Sequence, residues 1–108
     1  VTIIILPDAQ DDLLALQHYM LKQWSPQLYD KAEDEIFGLL DQIAADKRSG
    51  QPVAELVDVG ITDYQAILTS HHRIVYRIID GVVFVYIVAN QQQDFMSLLT
   101  RRVMQRLD

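Results

Sequence analysis

Most of the side chains that could do chemistry lie in the last third of the chain. "HHRIVYR" places His71, His72, Arg73 and Arg77 within seven residues. "NQQQD" follows a second apolar run with Gln91, Gln92, Gln93 and Asp94, and Arg101, Arg102 and Arg106 come after it. Adjacent imidazoles could work as an acid/base pair or as half of a metal site. A metal site needs three or four converging ligands, and the remaining histidine, His18, lies in a distant helical stretch. The alternative is that His71 and His72 are turn residues at the start of a strand. In that strand Arg73, Val75 and Arg77 share one face, and Ile74, Tyr76 and Ile78 share the other. The two arginines therefore offer either a cationic contact face for an acidic partner or a solvated face whose salt bridges reach the acidic helices of the first half. Arg101, Arg102 and Arg106 either touch a partner or complement the negative end of a helix dipole.

Elements that would position these residues can be read from periodicity. "TIIIL" (2–6) is a short apolar strand. Asp8, after Pro7, is a suitable N-cap for a helix running to about Trp24, with the stripe Ala9, Leu13, Leu16, Met20, Trp24. Ser25-Pro26 supplies an N-cap and a first-turn proline for a second helix to about Asp46, which buries Leu28, Ala32, Ile36, Leu39 and Ile43. So short a connection makes the two helices an antiparallel hairpin. Trp24 and Tyr29, flanking it, read as packing residues. "DKRSGQP" ends the helical pattern, and residues 53–63 read as an irregular loop with a little strand. Strands are expected at 64–69, 72–79 and 82–89. Asp80-Gly81 marks a two-residue hairpin turn, because both of its central positions favour positive φ. The strand "VVFVYIVA" is apolar on both faces, which places it centrally in a sheet. Residues 94–107 read as a final helix with Phe95, Leu99 and Val103 inward. The expected architecture is α+β, ordered β-α-α-β-β-β-α, with a helix hairpin on a mostly antiparallel four-stranded sheet in one domain.

Composition narrows the function. With 108 residues, half of them hydrophobic and 22% charged, the chain suits one modest core. It has no cysteine, so disulfides and thiol chemistry are excluded. Its longest apolar run is far short of the roughly 20 residues of a membrane span, and "VTIIIL" lacks the basic flank of a signal peptide. A cytoplasmic protein without membrane contact is the simplest expectation. The net charge is −6, unevenly spread: residues 1–46 hold nine acids and two bases, and residues 47–108 hold seven bases and six acids. Strong direct nucleic-acid binding is not expected of such a chain, because that affinity comes from cations displacing counterions. Asp11 and Asp12, adjacent on a helix, cannot converge as paired catalytic carboxylates. Neither a Gly-rich phosphate loop nor a Ser/His/Asp signature occurs, and neither a cofactor nor a metal is expected.

Residue order and motifs together resemble the RelE/ParE superfamily of toxins from type II toxin–antitoxin modules. The resemblance covers nearly the whole chain. It rests on "PDAQDDL", on "SGQPVAEL", and above all on Arg73-Ile74-Val75-Tyr76-Arg77-Ile78 before an acidic-Gly turn. It implies one of two activities, mRNA cleavage in the ribosome for RelE-like members or poisoning of DNA gyrase for ParE-like ones. RelE-like cleavage implies cations on the strand before the hairpin, at the position of Arg73 and after the last strand, with a tyrosine in the final helix. Here those positions hold Gln65–Leu68, Arg73, Gln91–Gln93 and, near the tyrosine position, Ser97. Only Arg73 matches. Each missing electrostatic contact costs about 3 kcal/mol of transition-state stabilisation. The resemblance therefore implies a ParE-like, non-enzymatic poison of gyrase, neutralised by a cognate antitoxin in a dimer or larger assembly. A RelE-like ribonuclease, or a non-toxic relative that only binds antitoxin, is the alternative.

Overall fold

The computed structural model describes residues 2–91 and 95–107, with side chains through Arg102. β1 (Ile3–Ile5) leads into α1 (Pro7–Gln23) and α2 (Pro26–Ala44). β2 (Gln51–Pro52) and α3 (Ala54–Val57) follow, then β3 (Gln65–Leu68), β4 (His72–Ile79), β5 (Val82–Asn90) and α4 (Phe95–Leu107). The strands form one sheet in the order β1-β5-β4-β3-β2. All neighbours are antiparallel except β1, which runs parallel to β5 with Ile3 opposite Val83 and Ile5 opposite Val85.

The α+β class and the helix hairpin agree with the sequence reading. The sheet, however, has five strands rather than four. The extra strand is only two residues long and carries no periodicity to read. The loop expected at 53–63 also contains the single-turn α3. A third correction concerns α1, whose N-cap is Leu6 and whose first turn begins with Pro7. Proline's fixed φ suits the first helical position, so the helix starts before Asp8. Asp8 instead lies in the first turn, where its charge complements the dipole. Ser25 does cap α2, accepting the Leu28 N–H at 3.2 Å.

Two cores sandwich the sheet. Against the helix hairpin lie Ile74, Tyr76, Val83, Val85 and Val88, packed on Ala9, Ile36, Leu39, Leu40 and Ile43. On the opposite face Val75, Ile87 and Ala89 pack on Val53, Leu56, Tyr64 and Leu99. β5 serves both cores, as its two apolar faces require, and it is an interior strand. Its alternation is broken once. Tyr76 pairs with Val85 and Val75 with Ile87, so Tyr86 is an extra residue in the register, a β-bulge. The turn below has Asp80 at φ 51° and Gly81 at φ 78°, the left-handed pair that a tight hairpin demands. Among the described residues, no helix is long and apolar enough to cross a membrane.

Candidate functional site

Beside the β3 edge the loop after α2 leaves an open groove of about 600 Å³. Its wall is lined by Arg48, Ser49 and Gly50 from that loop; Ile67 and Leu68 of β3, Arg73 of β4, Gln91, and Phe95 of α4 also line it. β2 covers only Gln65 and Ala66 of β3, so Leu68 lies beyond its reach and is 59% exposed. The wall is held by a close backbone approach. The Gly50 N–H donates to Tyr76 Oη at 2.7 Å, and a Cβ at Gly50 would sit 2.4 Å from the Ala66 carbonyl oxygen. Only glycine fits there without moving the sheet edge.

Arg73 reaches the groove from β4, but its charge is already engaged. Its Nη1 and Nη2 each donate to a Glu55 carboxylate oxygen at 2.9 Å, a bidentate fork from sheet to α3. The guanidinium also lies 4.0 Å from the Phe95 ring centroid. The hydrogen bonds from Arg73 hold the Glu55 carboxyl below the usual carboxylate range. Arg77 is likewise paired, with Asp63 at 2.7 Å, and lies over the Tyr64 ring. Arg73, Val75 and Arg77 thus share a face as the spacing predicts, and that face carries salt bridges to the loop and α3 rather than to the acidic helices. Arg48 is the other cation among the described residues lining the groove, and it is exposed.

His71 and His72 occupy the turn into β4 without forming a convergent pair. The His71 ring packs edge-on against Trp24, 5.0 Å between centroids, while His72 is 2% exposed. Burial first, and the neighbouring His71 second, push the His72 imidazole below its ordinary range. Among the described residues no cluster of three or more potential metal ligands exists. Gln91 donates through Nε2 to the Thr69 carbonyl at 2.8 Å, tying the end of β5 to this turn. Gln92, Asp94 and the Arg106 side chain lie outside the described residues.

Arg101 is exposed on α4, whereas Arg102 turns inward. Arg102 Nη2 donates to Asp12 Oδ1 at 2.6 Å, and Nη1 donates to Asp12 Oδ2 at 3.1 Å and to the Tyr86 carbonyl at 3.3 Å. Asp12 Oδ2 also accepts the Val88 N–H at 3.1 Å. One carboxylate and one guanidinium thus satisfy backbone groups at and beside the bulge while joining α1 to α4. Hydrogen bonding to Asp12 raises the Arg102 pKa further. Sequence reading missed this clamp. Its partners are 90 residues apart, and nothing local to either residue pairs them.

With these features in view, the comparisons with known proteins define first a class and then a family. The fold is similar to that of a chain in the chromosomal ParDE toxin–antitoxin system from P. aeruginosa (TM-score 0.65, 13% identity, 83% of this chain and 95% of that one). It is also similar to chains in the RelBE2 toxin–antitoxin complex from Mycobacterium tuberculosis (0.54, 20%, 83% and 96%) and the YoeB–YefM complex from Staphylococcus aureus (0.56, 19%, 84% and 97%). The fold is that of the RelE/ParE-like toxins. The family model for the ParE toxin of the type II toxin–antitoxin system parDE matches residues 3–95, and the chain belongs to that family. No curated protein matches the sequence.

Proposed function

We propose that this ParE-family toxin stops growth by binding a protein target, DNA gyrase, and that a cognate antitoxin neutralises it through the groove beside β3. The observation that carries this reading is the state of Arg73. It is the one residue matching the RelE-like cleavage set, and it spends both terminal nitrogens on Glu55. A guanidinium so engaged cannot meet a scissile phosphate without breaking a bidentate pair. β3 supplies Ala66, Ile67 and Leu68 to the groove, and none of these is a cation. Among the described residues lining the groove, the cations are Arg48 and the engaged Arg73, and neither a carboxylate nor an imidazole lines it for proton transfer.

The groove suits a peptide better than a phosphate. Leu68 and Phe95 offer apolar contacts, and β3 beyond Ala66 offers a strand edge for an extended segment. Arg48 at the groove, with Arg101 on α4, would steer acidic residues of an antitoxin tail. The direct test is purified full-length protein in two assays. Gyrase supercoiling should be inhibited or cleaved DNA stabilised, and ribosome-bound mRNA should stay intact. Codon-dependent mRNA cuts would replace this reading with the ribonuclease one.

A further inference from the structure

His72 opens β4 beneath the helix hairpin, 2% exposed, and its Nδ1 has no hydrogen-bond partner among the described residues. It lines a small pocket with Leu13, Leu16 and Met20 of α1 and Ala32 and Ile36 of α2. A bare ring nitrogen there is tolerable when the imidazole is neutral. An added proton would create a buried cation with an unmade N–H bond, which apolar surroundings disfavour strongly. Among the described residues, the charged and titratable groups around the ring are few. α1 contributes none to the pocket, α2 contributes Tyr29, Glu33 and Glu35, and the turn contributes His71. Glu33 accepts the Tyr29 hydroxyl, and Glu35 accepts the Ser70 N–H and hydroxyl, so both carboxylates are otherwise engaged.

Hydrogen bonds around His72 make it a junction. Thr69 Oγ1 accepts the His71 and His72 N–H groups, and the Thr69 carbonyl receives Gln91 from the end of β5. Trp24 at the end of α1 packs on His71, and Glu35 of α2 holds Ser70. The helix hairpin and the β3–β4 turn therefore meet at one buried imidazole. We infer that His72 is a proton-operated latch, which holds the helix hairpin and the 69–72 turn on the sheet while neutral and releases them when protonated.

The sign follows from linkage. A His harder to protonate in the folded state than in the unfolded one means that unfolding takes up a proton, so stability is full above the unfolded value, about 6.5, and falls as pH drops below it. Unfolding of the full chain between about pH 7.5 and about pH 5 tests this across the histidine range. Wild type should lose stability as pH falls, with a measurable excess proton uptake on unfolding. His72→Gln should lose most of that slope. A His72→Gln slope equal to wild type would overturn the latch. Should His72→Gln fail to fold, the His72 imidazole titration of wild type decides by NMR: it must fall below the ordinary histidine value of about 6.5, and titration at or above that value overturns the proposal. Hydrogen exchange corrected for intrinsic rates must also rise at low pH in α1 and α2 before β4 and β5. A uniform rise would mean global loss of stability and no latch.

Discussion

A single side chain, Arg73, shows how far residue type alone falls short of function. Its position between the groove and α3 lets Glu55 take both of its terminal nitrogens, so a residue that could face a substrate instead fastens α3 to the sheet. Each partner is about a quarter exposed, 22% for Arg73 and 28% for Glu55, so solvent screens the pair and its contribution is about 1 kcal/mol. Glu55→Gln should lower stability at neutral pH by about that amount. The wild-type advantage should vanish as pH falls, because Arg73 depresses the Glu55 pKa and the stabilisation is lost below about 4.3. Urea unfolding of both proteins at neutral and acid pH measures the convergence. Gly50 makes a second residue-scale point. Gly50→Ala drives a Cβ against the Ala66 carbonyl and should cost about 2 kcal/mol, more than the roughly 1 kcal/mol expected for Tyr76→Phe, which removes only the hydroxyl that Gly50 donates to.

At the scale of elements, α4 depends on the bulge in β5. Leu99 is its buried anchor, and Arg102 joins it to Asp12 and to the Tyr86 carbonyl. The pair is mostly buried, with side-chain exposures of 16% and 13%, so removing one partner strands the other. Asp12→Ala should cost about 3 kcal/mol and lower the melting temperature by about 10–20 °C. Arg102→Ala should cost nearly as much, and the double variant little more than either, because the two residues act as one unit. Additive losses in that cycle would show that the residues stabilise α4 independently. Legibility differed among these elements for physical reasons. The helices, β4, β5 and the Asp80-Gly81 turn each carry a repeating or conformational signal in their own residues. β2 and the bulge carry none. β2 exists because Gly50 lets the chain approach Ala66, and the bulge lies in a strand apolar on both faces, where a shift of one residue breaks no visible alternation. The groove was likewise partly legible. Arg73 and Gln91 were singled out from sequence, but Arg48, Leu68 and the Glu55 fork come together only through the fold.

For the whole molecule, the acidic first half forms β1 and the helix hairpin, while the groove draws on the later, near-neutral part. Partner binding at the groove should therefore combine apolar affinity with charge steering from Arg48 and Arg101. Expression alone is expected to stop growth, and co-expression with the cognate antitoxin to restore it, in a plate assay with soluble protein confirmed. For the purified pair, Arg48→Ala plus Arg101→Ala should reduce the association rate several-fold at low salt and little at high salt, since exposed charges act within a Debye length of about 10 Å at 0.1 M. Unchanged rates at both salts would move the antitoxin site elsewhere. Arg73→Ala plus Arg77→Ala should weaken binding modestly in calorimetry. The loss should also depend little on salt, because these arginines act by fixing α3 and the loop at Asp63.

The parallel pairing of β1 with β5 also sets an order of events. Residues 3–5 find their partner only once residues 83–85 exist, so β1 waits for β5, the last of the described strands in chain order. Until then the apolar segment "TIIIL" has no sheet to join, and such late, long-range closure is slow and leaves strand edges open. A nascent chain of this kind has no finished surface to offer any target. The sheet, on this topology, closes only after β5 has been made.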